Sequence, residues 1–184
     1  MNFSGLWRAL VCLAACLIGA PAVLAGVSEV PKHALVIANG AYKNQQWVLP
    51  NVVRDQTLVA ASLKKLGFTV TERSNLGREQ MVSTVAEFAA ALPAGATALV
   101  YFGGHGMQVA GSNYLVPVDM VPTSEQSVQI KTYPLVTLLE RLSAAKSSVN
   151  IVVLDACRNN PFQPAPPVRY RSFDRLGLAA THAP

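Results

Sequence analysis

The sequence predicts an α/β fold on a mostly parallel sheet, and three observations carry that prediction. Short β-branched, apolar runs recur at residues 33–39 (HALVIAN), 97–102 (TALVYF) and 150–155 (NIVVLD). They are continuous rather than alternating, as expected of strands covered on both faces. Helix-period segments separate them, which implies right-handed βαβ crossovers. Finally, the last two runs each end in chemistry: Gly103-Gly104-His105-Gly106 after one, Asp155-Ala156-Cys157-Arg158 after the other. Open α/β sheets place their sites at the carboxyl ends of strands.

Taken in order, residues 33–39 form the first strand, between Pro31 and Gly40, and residues 44–51 a loop closed by Pro50. Residues 55–66 read as a helix with Leu58, Val59, Ser62, Leu63 and Leu66 on one face and Gly67 as its stop. Residues 68–72 are a short second strand. Residues 75–92 are a second helix, with Met81, Val82, Val85, Phe88, Ala89 and Leu92 as its apolar stripe and Pro93 ending it. The third strand, residues 97–102, stops at the glycines. Residues 107–118 read as a hairpin around Gly111, and residues 117–132 as a polar loop. Thr132 caps a third helix with Pro134 in its first turn and Leu135, Leu138, Leu139 and Leu142 on its face. Residues 150–155 are then a fourth, buried parallel strand ending at a loop.

A chain of 184 residues favours one domain. The net charge of +5 is scattered, apart from Arg169, Arg171 and Arg175 near the end, and no basic stripe interleaves with aromatics. Nothing supports nucleic-acid binding. Residues 1–25 carry Arg8, an apolar stretch over 9–24, and Val23 and Ala25 at signal-peptidase positions, so they read as a signal peptide for export to the periplasm or beyond. The alternatives are a membrane anchor, against which the short run with Gly19 and Pro21 argues, and a lipoprotein signal at Leu13-Ala14-Ala15-Cys16. Once Cys12 and Cys16 leave with the signal, Cys157 remains alone in an oxidising compartment. Such a thiol is either buried and inert or reactive, and its place at a strand end beside Asp155 and Arg158 favours reactive. Residues 26–162 form the predicted catalytic domain, and residues 163–184 a Pro- and Arg-rich tail.

A thiol attacks as thiolate, and a neighbouring imidazole lowers its pKa. If the strands bearing His105 and Cys157 are neighbours, the two side chains flank one crevice. The glycines around His105 admit a substrate backbone, and the amides of Gly106 and Cys157 are candidate donors to a carbonyl oxygen. Asp155 precedes the nucleophile by two residues, and Asp55 opens the first helix. Asp55 is explained equally by the helix dipole or by an acidic pocket, shared with Asp155, for a cationic side chain. His33, His182 and Asp119 read as incidental, Asp119 as a turn residue. No phosphate loop and no Cys/His cluster of metal-ligand spacing occurs, so no cofactor or metal is expected. A thiol redox role lacks a second cysteine.

These motifs, from residues 34–39 (ALVIAN), Leu49-x-Asn51-x-x-x-Asp55 and Leu66-Gly67-Phe68 through residues 101–106 (YFGGHG), 113–119 (NYLVPVD) and 154–162 (LDACRNNPF), resemble in order those of the bacterial caspase-like peptidases, relatives of metacaspases and paracaspases. The resemblance spans about residues 33–178. It implies a caspase–hemoglobinase-like three-layer sandwich and a Cys–His dyad at Cys157 and His105. Caspases have Gln at the position of Asp155 and cleave after Asp. Metacaspases and paracaspases carry acids at the positions of Asp55 and Asp155 and cleave peptides and proteins after Arg or Lys. The acidic insertion associated with calcium in many metacaspases is replaced by a short hairpin between His105 and Asp119, so calcium dependence is not expected. The sequence stops where the family continues into a small-subunit region, so the fold is expected to be C-terminally truncated. A non-catalytic interaction module, its sheet edge completed by a partner, is therefore the alternative to a peptidase. An active enzyme with this pocket is expected to cut itself after Arg169, Arg171 or Arg175.

Overall fold

The computed structural model describes residues 29–158, Asn160 and Phe162. The signal-peptide reading of residues 1–25, the Pro/Arg-rich tail of 163–184 and His182 lie outside them. Six strands and four α-helices alternate: β1 (Lys32–Ala38), α1 (Val52–Lys65), β2 (Thr69–Ser74), α2 (Arg78–Ala91), β3 (Thr97–Val109), β4 (Ser112–Leu115), α3 (Glu125–Lys131), β5 (Tyr133–Pro134), α4 (Leu135–Ser143) and β6 (Val149–Arg158). They make one sheet whose path runs β2-β1-β3-β4-β5, with β6 paired to the other side of β3. β1, β2, β3 and β6 are parallel. β4 and β5 are antiparallel additions at one end. The α/β expectation of a mostly parallel sheet between helical layers holds.

Period-two alternation sorts the strand residues onto two faces. Leu35, Ile37, Val100 and Phe102 meet Met81, Val85 and Phe88 of α2 and Leu138 and Leu142 of α4. Ala34, Val36 and Tyr101 meet Leu63 of α1 on the opposite face. A third cluster, built on Tyr42, Met107, Val109, Tyr114, Val116, Met120 and Val128, packs the end of the sheet where β3 outruns β1.

Several expectations are corrected. The buried stripe of α1 is Gln56, Ala60 and Leu63, while Leu58 and Leu66 are 60% and 63% exposed. Polarity hid Gln56, yet its side-chain amide donates to the carbonyls of Val36 and Arg73 and its oxygen accepts from Ser74, so it is buried without an unpaired group. The third strand does not stop at the glycines. β3 continues to Val109 because β4 and β6 supply partners past the end of β1. The hairpin is present, closed by Ala110 and Gly111 at φ 49° and 78°, as a tight turn requires. The polar loop of 117–132 contains α3, whose Ser124 and Ser127 form a reciprocal N-terminal cap. Thr132 does not cap the following helix; its hydroxyl donates back to the carbonyl of Val128 at the end of α3. The fourth strand is neither short nor buried on both faces. β6 runs on through Cys157 to Arg158, and Val149, Ile151 and Val153 stand 47%, 39% and 42% exposed. Leu154, Val152 and Ala156 alone lean on the core. The apolar run signals a central strand, but β6 has a described neighbour on one side only.

Candidate functional site

β1 ends at Ala38, opposite Gly103, and its continuation Asn39 donates its N–H to the Gly103 carbonyl. Beyond that point β6 continues along the other side of β3, as far as Gly106 opposite Arg158. In this overhang the register sets His105 directly beside Cys157. Opposed residues of neighbouring strands share a face, so Tyr101, Gly103 and His105 emerge on the same face as Val153, Asp155 and Cys157.

The space that β1 vacates is filled by residues 40–49, and this segment holds His105. The Tyr42 hydroxyl accepts the His105 backbone N–H at 2.8 Å and donates to the Val116 carbonyl at 3.3 Å. Burial raises the Tyr42 phenol's pKa, against the smaller opposing effect of the bond from His105, so it keeps the hydrogen that this bridge needs. Gly104 makes the approach possible: a Cβ there would lie 2.8 Å from that hydroxyl and 3.0 Å from the Phe102 ring. The imidazole stacks obliquely on Tyr42, with centroids 4.8 Å apart, and on Trp47 at 5.6 Å. Its Nε2 lies 2.8 Å from the Trp47 carbonyl oxygen. A carbonyl can only accept, so Nε2 carries the hydrogen and, in the neutral ring, Nδ1 keeps the free lone pair. The Trp47 carbonyl is fixed in turn by the 3-10 turn Gln45–Trp47, capped by the Asn44 side chain, and by Lys43 donating to Val118.

Cys157 is a free, exposed thiol. Gly106, the expected amide donor, is buried against β6: a Cβ on it would sit 2.8 Å from the Cys157 carbonyl. Asn160, three residues beyond Cys157, donates to Glu125 at the start of α3 at 2.8 Å. The helix missed in the sequence thus holds Asn160, close in sequence to Cys157.

The carboxylates converge from two elements. Asp55 lies in the first turn of α1 and is exposed, as is Asp155. Tyr101, buried against Ala34, Val36 and Leu63, donates its hydroxyl to Asp155 Oδ2 at 3.0 Å. Its pKa is pushed up to about 12, first by burial, then by the Asp155 hydrogen bond, then by the charges of Asp155 and Asp55. Sequence reasoning left Tyr42, Trp47 and Tyr101 without roles. For Tyr101 the signal was the alternation Tyr101, Gly103, His105; for the Trp47 carbonyl no side chain announces it.

Asp119 sits in a turn, as expected, but its carboxylate also accepts the Arg78 N–H at 3.1 Å and so caps α2 from a distance. His33 lines a shallow pocket of about 210 Å³ with Thr71, Arg73, Thr84 and Glu87. It opposes Ala98, seven residues before His105 on β3, and thus sits far from the thiol. Among the described residues no group of three or more His, Cys, Asp or Glu could hold a metal ion, and no helix is long and apolar enough to cross a membrane.

The caspase-domain family profile matches residues 31–176. The mucosa-associated lymphoid tissue lymphoma translocation protein 1 of Homo sapiens is 29% identical over 127 residues, 69% of this chain, and its Mus musculus homologue is 29% identical over 130 residues, again 69% of this chain. The chain spans about 15% of the length of these relatives. The crystal structure of protein GSU0716 from Geobacter sulfurreducens superposes with a TM-score of 0.53 at 20% identity, covering 69% of this chain and 50% of that one.

Proposed function

This chain belongs to the caspase-domain family, and on that premise we propose that it is a cysteine endopeptidase acting through Cys157 and His105 and cutting after Arg or Lys. The observation that carries the reading is the imidazole beside Cys157, its Nε2–H pinned on the Trp47 carbonyl and its Nδ1 left with the lone pair. In this mechanism Nδ1 takes the thiol proton and the thiolate attacks the scissile carbonyl carbon. The amides of Gly106 and Cys157 serve the developing oxyanion once this end of the β3–β6 pairing opens to free them. The imidazolium returns its proton to the departing amine, and water, deprotonated by the same nitrogen, releases the acyl group from sulfur.

The acidic pair supports the specificity. Asp55 and Asp155 are exposed carboxylates near one tyrosine, on the face from which the dyad emerges, and a guanidinium can bridge two such groups. The substrates are then peptides or proteins with Arg or Lys before the cut bond, and the export reading of residues 1–25 puts the activity in the periplasm or outside the cell. A fluorogenic panel with Arg, Lys, Asp or Leu at that position tests this. Arg and then Lys should lead, and Asp155→Asn should depress the Arg substrate about tenfold or more. Preference for Asp or Leu refutes the acidic pocket.

The exposed Val149, Ile151 and Val153 favour one other reading, a non-catalytic module that receives a partner's strand and covering helix along β6. In that case Cys157 reacts with alkylating agents no faster than a free cysteine.

A further inference from the structure

Tyr101 opposes Val153 on β6, not Asp155; the residue opposite Asp155 is Gly103. To reach Asp155 Oδ2 the phenol lies diagonally across Gly103, where a side chain would crowd the ring and shift it by a few tenths of an ångström. A Cβ at that position would come within 3.3 Å of Tyr101 Cε1 and of Val52 Cγ1, and 3.4 Å of the Tyr101 hydroxyl. The first glycine of the GGHG segment therefore serves the tyrosine rather than the histidine. The ring is buried, its hydroxyl donates to one carboxylate oxygen, and the second carboxylate, Asp55, is near enough to act on the same phenol. A donor on one carboxylate oxygen fixes the plane of the carboxylate.

We propose that Tyr101 is a specificity-positioning residue of this site: it holds Asp155 by Oδ2, turning Oδ1 toward the space shared with Asp55, and so selects a planar guanidinium over a compact ammonium. The inference rests on the acidic-pocket reading and adds the element that sets its geometry. A guanidinium presents donors in a rigid fork and gains from carboxylates held in a fixed plane, whereas an ammonium is served by any nearby negative charge. Freeing Asp155 to rotate should therefore harm Arg more than Lys.

Three measurements on wild type, Tyr101→Phe and Gly103→Ala test it. The first is steady-state cleavage of matched Arg and Lys fluorogenic peptides. The second is the rate of Cys157 alkylation by iodoacetamide, which reports the thiolate alone. The third is NMR titration with agmatine and with n-butylamine in the Cys157→Ala background, which needs no turnover. Tyr101→Phe should raise KM for the Arg peptide about tenfold at little-changed kcat, shrink the Arg-to-Lys ratio toward one, weaken agmatine about tenfold and butylamine much less, and leave alkylation unaltered. Gly103→Ala, which displaces the ring, should shift selectivity in the same direction. Equal losses for Arg and Lys together with slower alkylation would make Tyr101 a support of the dyad and overturn the proposal, as would unchanged selectivity and agmatine affinity. A wild-type protein that neither binds agmatine nor prefers basic residues refutes the acidic pocket itself; one that does both while Tyr101→Phe matches it refutes only the role of Tyr101.

Discussion

The two strands that meet at the candidate dyad are held in opposite ways. On β3, His105 is fixed through its backbone N–H, its Nε2 and its ring contacts, by Tyr42 and Trp47. On β6, Cys157 is exposed at the end of a strand whose outer face is half open to solvent. The imidazole is held by the core, while the thiol rides on an edge of the described sheet. In the proposed peptidase this concentrates rigidity where the tautomer and direction of a lone pair matter and leaves access where a substrate must arrive.

The largest effects should come from the dyad. Cys157→Ala should abolish peptidase activity, and His105→Ala should lower kcat/KM by about 10²–10⁴. Neither thiol nor imidazole lies in the buried core, so the unfolding free energy of Cys157→Ala should stay within about 0.5 kcal/mol of wild type. Retained hydrolysis in either variant breaks the comparison at its root.

Next in size is the contrast between centre and edge. Leu35, wholly buried on β1, should cost about 2–5 kcal/mol as Leu35→Ala, the loss of transfer energy plus a cavity. Val153→Thr on the open face of β6 should change stability by no more than about 0.5 kcal/mol. Equal losses in chemical denaturation would mean that the outer face of β6 is covered in solution.

The smallest of the three sharpens the claim about the base. Tyr42→Phe removes the acceptor of the His105 N–H and the donor to Val116, leaving a buried donor unpaired at about 1–3 kcal/mol. Amide exchange at His105 should accelerate selectively, and activity should fall more than for any substitution along Val149, Ile151 or Val153. An unchanged exchange rate removes Tyr42 from the account.

Much of this was legible in the chain. Continuous apolar runs announced β1, β3 and β6, and two strand ends carrying His105 and Cys157 pointed to the sheet end that brings them together. Periodicity failed where a polar residue does apolar work: Gln56 is buried because its amide closes three hydrogen bonds that no hydropathy pattern encodes. It failed again at α3, too short to show a stripe, although the spacing of Ser124 and Ser127 held the cap signal. The same arithmetic made β6 look central, because an apolar run cannot say how many neighbours a strand has. Around the site, side chains declared themselves and backbone did not. His105, Asp55 and Asp155 could be named, whereas the Trp47 carbonyl depends on a loop whose path is set by Asn44 and Val118.

His105 is proposed to make Cys157 a nucleophile facing a pocket for basic side chains, and covalent labelling reads this without a turnover assay. Purified wild type and His105→Ala would be exposed to an arginyl peptide chloromethyl ketone and to its leucyl counterpart, with adduct formation followed by intact mass. The account predicts a single adduct on Cys157, formed much faster by the arginyl reagent, and loss of that advantage in His105→Ala. Equal rates for the two reagents, or arginyl labelling that persists without His105, would contradict it.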